Sequence, residues 1–243
     1  MMTERLKPFA CRYAHRGLYN NGAGIPENSL AAFDRASRQQ LGIELDVQLT
    51  KDGQVVVFHD DTVDRMCGGS GRVDSFTLAE LREMRLWNTE ERIPLFSEVL
   101  DLLKAGTPGP LLVELKTGAH NTELCEKTLA LLRAYPKPWI MESFDPRIVN
   151  WFRKNAPDVV RGQLATSCAH YRKTYNALMS FVLSRCLLSG WNRPDFIAYN
   201  RNVPVPAHVR RLRRRGRLLL CWTTKNIEED EKHFDGVIFE TFP

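Results

Sequence analysis

Short apolar runs alternate along this chain with longer segments in which apolar residues return every three or four positions. The short runs are CRYAH, GIELDVQL, LLVELK, WIMESF, VVRGQLA, DFIAYN, RLLLCWTT and DGVIFET. Their β-branched and aromatic content predicts strands. Between them stand NSLAAFDRASRQQ, LFSEVLDLLKA, NTELCEKTLALLRAY, PRIVNWFRKNA, a long stretch around YRKTYNALMSFVLSRCLL, PAHVRRLRRRG and NIEEDEKHF, all read as helical. Eight strands separated by seven helices give β(αβ)7. That order implies an α/β fold with a mainly parallel sheet covered by helices. The count of eight favours a TIM (β/α)8-type barrel, with any last helix trimmed or missing.

One segment breaks the rhythm. After GIELDVQL comes TKDG and then QVVVFHDDTVDR, so Asp52-Gly53 reads as a hairpin turn between two β-rich runs. The following MCGGSGRVDSFTLAELREMRLWNTEERIP reads as an inserted loop with one short helix, a small insertion after the second strand at about residues 60–94. No linker, repeat or low-complexity tract divides the chain, so residues 1–243 are expected to form a single barrel domain.

Composition narrows the class. Lys and Arg outnumber Asp and Glu, 34 against 29, a net charge of +5 that suits an anionic substrate without requiring one. The six cysteines are scattered, with no CxxC pair and no Cys/His cluster, which argues against structural zinc and fits reduced, mostly buried thiols. No apolar run is long enough to span a bilayer, and the first residues lack the apolar core of a secretory signal. A cytoplasmic location without stable membrane insertion is expected. The sequence says nothing about oligomeric state.

Active sites of β/α barrels lie at the carboxyl ends of the strands, so the residues there are the candidates for chemistry. Strand one ends in His15-Arg16. Strand two carries Glu44 and Asp46, spaced i, i+2 and therefore on one face. The hairpin return ends in His59-Asp60, the next strand carries Glu114 and Lys116, the following one ends in Glu142-Ser143-Phe144, and a late one ends in Trp222-Thr223. Three carboxylates in one buried pocket repel one another unless a cation joins them. All-oxygen ligands suit a hard divalent ion, Mg²⁺ or Ca²⁺. His15 and His59 are then free for proton transfer, and Arg16 and Lys116 suit a phosphate. The set reads as a metal-assisted phosphoester site.

The run AHRG…PENSLAAF…GIELDVQLTKDGQVVVFHDDTVDR…LLVELK…ESF…WTT closely resembles the glycerophosphodiester phosphodiesterases, whose pattern is HRG, PENT, ExD, HD, ExK and a late WT. The resemblance is dense from Tyr13 to Arg65 and returns at Val113–Lys116 and Cys221–Thr223. It departs at PENS, at WTTKN and at the closing FETFP. The resemblance implies a TIM barrel with a small insertion after the second strand. It also implies His15 and His59 as the acid–base pair, with Glu44, Asp46 and Glu114 as metal ligands. Arg16 and Lys116 would bind phosphate, Trp222 would line the site, and Glu27 would reach the polar network. The implied reaction is hydrolysis of a small-molecule glycerophosphodiester to an alcohol and glycerol 3-phosphate, through a cyclic phosphate or by direct attack of water. The alternative is a lysophospholipase D-type enzyme acting on lipids.

Other conspicuous residues read more plainly. His120, His170, His208 and His233 lack carboxylate company in the sequence and are placed outside the site. Ser143 has no histidine–aspartate pair placed for it as a nucleophile. RRLRRRGR, Arg210 to Arg217, reads as the solvated face of a helix rather than a contact for nucleic acid or anionic lipid. The apolar stretch from Phe181 to Trp191 reads as core or as a wall of the barrel mouth, with a membrane-touching role as the lesser reading.

Overall fold

The computed structural model describes residues 3–240. It consists of two compact units, residues 13–139 with 240, and residues 3–12 with 140–239.

The first unit begins within β1 (Arg12–Ala14) and continues through α1 (Leu30–Arg38), β2 (Gly42–Leu49), β3 (Val55–Val57), α2 (Asp64–Cys67), α3 (Leu78–Glu83), α4 (Phe96–Ala105), β4 (Leu111–Leu115) and α5 (Asn121–Arg133). β2 pairs in parallel with β1 on one side and β4 on the other, while β3 returns antiparallel on its far end. The expected turn is present, with the Gly53 N–H donating to the Thr50 carbonyl. Both faces of β2 are covered: Ile43, Leu45 and Val47 are buried on one, Glu44 and Asp46 on the other.

The insertion holds more structure than one short helix. α2, α3 and short 3-10 turns surround a small core of Val56, Phe58, Val63, Met66, Val73, Leu81, Leu86 and Ile93. Side chains of this kind contribute about 1.5–3 kcal/mol each on full burial, so the insertion is anchored to β3 rather than draped over it. α3 starts from a reciprocal cap between Thr77 and Glu80.

The second unit runs from β5 (Trp139–Ser143) through α6 (Pro146–Asn155), β6 (Arg161–Ala165), α7 (Cys168–Tyr171), α8 (Ala177–Ser184), α9 (Ser189–Asn192), β7 (Phe196–Asn200), α10 (Ala207–Arg214), β8 (Leu218–Thr224), α11 (Ile227–Asp230) and β9 (Gly236–Phe239). Its strands pair in parallel in sequence order from β5 to β9. The bare Gly162 on β6 lies under the ring of Phe196, where a Cβ would overlap the ring carbons at 2.1 Å.

Eight parallel strands with helices between them, and one antiparallel return after the second, make this the TIM (β/α)8-type class that the sequence predicts. The last expected strand, DGVIFET, is β9; Thr241 and the rest of the closing FETFP lie outside the described residues. α10 exposes Arg210, Arg211 and Arg214 around buried Val209, as expected for a solvated face, while Arg213 turns back to pair with Asp235 at 2.7 Å. All six cysteines are free thiols.

One expectation is corrected. The stretch around residues 171–188 is not a single helix, and much of the Phe181–Trp191 run is not core. Asn176 caps a fresh helix by accepting the Met179 N–H, and Cys186 (φ 53°) ends it in the left-handed region. Ser180, Leu183 and Ser184 face inward, whereas Phe181, Leu187 and Trp191 are exposed.

Candidate active site

The carboxylates meet because of strand register. Asp46 on β2 stands opposite Glu114 on β4, and Glu44 precedes Asp46 by two residues on the same face. One oxygen from each of Glu44, Asp46 and Glu114 lies within 4.8 Å of the others, and all three residues are buried. Burial, then the charges of Asp46 and Glu114, drive the Glu44 carboxyl well above the ordinary carboxylate range. Burial acts on Asp46 in the same sense, but Lys116, His59 and Arg16 outweigh it and hold Asp46 below that range.

Lys116, two residues after Glu114, sits between the carboxylates at 2.9 Å from Glu114 Oε1 and 3.2 Å from Asp46 Oδ1. Burial favours its neutral amine, yet Glu114 and Asp46 raise its pKa above the usual lysine value. The lysine is thus a fixed internal cation.

The turn after β1 explains AHRG. Arg16 (φ 55°) and Gly17 (φ 79°) both occupy the left-handed region, and the chain doubles back against α1. A Cβ on Gly17 would stand 2.9 Å from the Ala32 backbone, so no other residue fits there without displacement. The turn aims the Arg16 N–H at Glu44 Oε2, 3.0 Å away. PENS closes the same corner. Asn28 (φ 54°) donates its N–H to the Arg16 carbonyl and its amide to Asp46 Oδ2 at 2.9 Å, while Ser29 caps α1. Asn tolerates the left-handed conformation better than most residues and brings a donor with it.

The two histidines are held alike. His15 Nδ1 lies 2.6 Å from Glu240 Oε1, and His59 Nδ1 lies 2.6 Å from Asp60 Oδ1. A carboxylate at Nδ1 fixes the tautomer that carries a proton there and frees Nε2 for chemistry. His15 Nε2 faces the cluster, 3.9 Å from Glu44 Oε2. Burial lowers the His15 pKa, with the Glu240 hydrogen bond opposing it. Glu240 stays below the ordinary range because His15 and Arg16 offset its own burial. Gln48 fastens the His59 loop by donating its amide to the carbonyls of Phe58 and Asp60.

Arg16 is part of a charge chain. Its Nη1 donates to Glu27 at 2.6 Å, Glu27 accepts from Arg65 at 2.7 Å, and Arg65 holds Asp60 at 2.6 Å. Arg16 Nε, 3.7 Å from Asp46 Oδ2, is a buried donor without a hydrogen bond. Beside Lys116 a cavity of about 210 Å³ opens between the ends of β2 and β4 and the insertion, lined among others by Lys51, Asp61, Arg72 and His120.

The structure therefore brings together His15, Arg16, Glu27, Glu44, Asp46, His59, Glu114 and Lys116 as sequence-predicted site residues within the first unit. Trp222 belongs to the second unit, on β8, where its indole N–H donates to the Ala198 carbonyl and its ring meets Phe144 edge-on. Four neighbours escaped the sequence reading as site residues: Asn28, Asp60, Arg65 and Glu240. Asn28 and Asp60 were visible inside the PENS and HD motifs, and Glu240 follows the last strand, whose end carried no such reading. Arg65 offered no signal. His120, placed outside the site, lines the cavity next to Lys116. His170, His208 and His233 belong to the second unit, where His208 bonds Ser189.

The profile of the glycerophosphoryl diester phosphodiesterase family matches residues 15–238. The chain is 33% identical to a glycerophosphodiester phosphodiesterase of Caldanaerobacter subterraneus subsp. tengcongensis, over 93% of this chain and 91% of the relative. It is 27% identical to a glycerophosphodiester phosphodiesterase of Bacillus subtilis, over 95% and 83%. Among solved structures it is similar to an Oleispira antarctica phosphodiesterase in complex with the product sn-glycerol-3-phosphate, with a TM-score of 0.77 at 22% identity, covering 94% of this chain and 92% of the other.

Proposed function

The chain belongs to the glycerophosphoryl diester phosphodiesterase family, and from that premise we propose that it hydrolyses small glycerophosphodiesters to an alcohol and glycerol 3-phosphate at the cluster around Asp46. One observation carries the reading: a buried three-carboxylate cluster lies beside a histidine whose Nδ1 is held by a carboxylate, with a second such histidine in the same unit. The match across both units supports treating residues 1–243 as one barrel domain.

Glu44, Asp46 and Glu114 would hold a divalent cation, Mg²⁺ or Ca²⁺. The fit is chemical: three hard oxygen donors converge, and the like charges that drive Glu44 upward are what such an ion relieves. Bound there, the ion would polarise a phosphoryl oxygen and acidify a nearby hydroxyl. The remaining work falls to the chain's own groups. Arg16 Nε and Lys116 offer positive charge to the phosphate. One imidazole takes the proton of the attacking oxygen, from water or from the neighbouring glycerol 2-hydroxyl. The other protonates the departing alkoxide. Glu240 and Asp60 hold the two rings in register for those transfers. The cavity beside Lys116 would offer space for the leaving headgroup.

The test is hydrolysis of glycerophosphocholine with Mg²⁺ or Ca²⁺, with and without EDTA. Chelation is expected to abolish release of glycerol 3-phosphate, and added metal to restore it. Glu44→Ala, Asp46→Ala and Glu114→Ala should recover in part at excess metal, and His59→Ala should not. Full activity in EDTA would remove the metal from the mechanism.

A further inference from the structure

α8 is turned inside out. Its inward positions are Ser180, Leu183 and Ser184, and its outward ones include Leu178, Met179 and Phe181. The serine hydroxyls are spent on local carbonyls: Ser180 donates to Asn176 and Ser184 to Phe181. Leu178 is 74% exposed, a position that a packing role would not leave to leucine. Among the described residues, six of the seven exposed large hydrophobic residues fall in this one segment: Tyr175, Leu178, Met179, Phe181, Leu187 and Trp191, the seventh being Trp87. Single exposed apolar residues are ordinary, but such a concentration marks an interaction surface.

Along the chain, the charge of this segment has one sign. From Val159 to Pro194 the sequence contains no Asp or Glu, yet it carries Arg161, Arg172, Lys173, Arg185 and Arg193. Arg172, Lys173 and Arg193 are exposed. The Arg185 guanidinium lies 3.9 Å over the Phe181 ring, setting a cation at the edge of the apolar face. The patch also connects inward. Tyr175 packs on Tyr171, Tyr171 on Phe144, and Phe144 edge-on against Trp222, with centroid separations of 6.2, 6.5 and 5.4 Å. Phe144 follows β5, Tyr171 lies beyond β6, and Trp222 is near the end of β8. The patch therefore sits on the side of the sheet reached by strand carboxyl ends.

We propose that α8 and its flanks form a docking surface for an anionic lipid bilayer, on which the chain rests without crossing it. Apolar tips entering the acyl boundary with cations beside them are what an interfacial helix presents. No helix among the described residues is long and apolar enough to span a membrane. A second copy of this chain fits less well, because a two-fold contact would set the same cations against themselves. The proposal stands on this surface alone and does not rest on the catalytic reading.

The experiment is co-sedimentation of the full chain with vesicles of phosphatidylcholine alone or of phosphatidylcholine with 30 mol% phosphatidylglycerol, an amount that makes the surface anionic. Binding is expected only to the anionic vesicles, and it should weaken at high salt. Leu178→Ser and Phe181→Ser should each lower the partition constant about 10-fold or more. Arg172→Gln and Lys173→Gln should lower it about fivefold each. Unchanged melting by circular dichroism shows that the variants fold. Equal binding to both vesicles, no binding to either, or full binding by the serine variants overturns the proposal. So does light scattering that finds a dimer abolished by Phe181→Ser without any vesicle association.

Discussion

Glu240→Gln is the most informative single change. The substitution keeps the shape of the side chain and an oxygen that can accept from His15 Nδ1–H, and it removes the negative charge. The bond at stake is 2.6 Å long and half-buried. A hydrogen bond to a charged group is worth about 1.5–3 kcal/mol, against about 1 for a neutral one. At about 1.4 kcal/mol per tenfold in rate, its full loss corresponds to about 10- to 150-fold in kcat. Because the amide still accepts, the lower part of that range is expected. His15→Ala removes the ring itself, for which general acid–base catalysis sets about 10²–10⁴-fold. If Glu240 acts in catalysis through the imidazole, the double variant should be no worse than His15→Ala. The assay is release of glycerol 3-phosphate at saturating metal, with His170→Ala as a control whose ring meets only Tyr171 among its described ring contacts. Wild-type kcat in Glu240→Gln would refute the positioning argument. A loss in the double variant equal to the product of the single losses would show that Glu240 acts elsewhere.

Arg65 holds Glu27 and Asp60 together, and both carboxyls lie below their ordinary pKa although burial pushes the other way. The unfolded chain therefore binds more protons than the folded one in acid, so this stabilisation is complete above the ordinary carboxylate range and fades as pH falls below it. Arg65→Met should cost about 1 kcal/mol at pH 7 for this half-exposed bridge, with the Tm gap to wild type narrowing toward pH 3.5; a gap that stays constant would locate the effect elsewhere. If the apolar face of α8 serves substrate choice as well as docking, lysophosphatidylcholine should be turned over faster than glycerophosphocholine at matched concentration, and a clear preference for the water-soluble diester would exclude the lysophospholipase D-type alternative.

The strands were legible because each is a compact apolar run bounded by turn residues. The cluster was legible because its charges interrupt such runs at a spacing of two. GIELDVQL shows both at once: a strand buried on both faces has no other reason to carry Glu44 and Asp46. What the sequence hides is partnership across distance. Nothing near His15 announces Glu240, because 225 positions separate them. Asp60 was visible beside His59, but neighbours on an extended chain point apart, and only the break after β3 lets them meet. The segment after β6 misled for the opposite reason. Its apolar residues imitate a core helix, and only the inward serines reveal that the face is reversed.

The pairing of His15 with Glu240 also orders events during synthesis. The two residues are separated by 225 positions. At roughly 5–20 residues per second, the carboxylate leaves the ribosome tens of seconds after the imidazole that it orients. By then Glu44, Asp46 and Glu114 have long been made and can collect on β2 and β4. A nascent chain can thus assemble its acidic cluster while one of its two histidines is still unheld, and that histidine gains its carboxylate only after 225 further residues have been made.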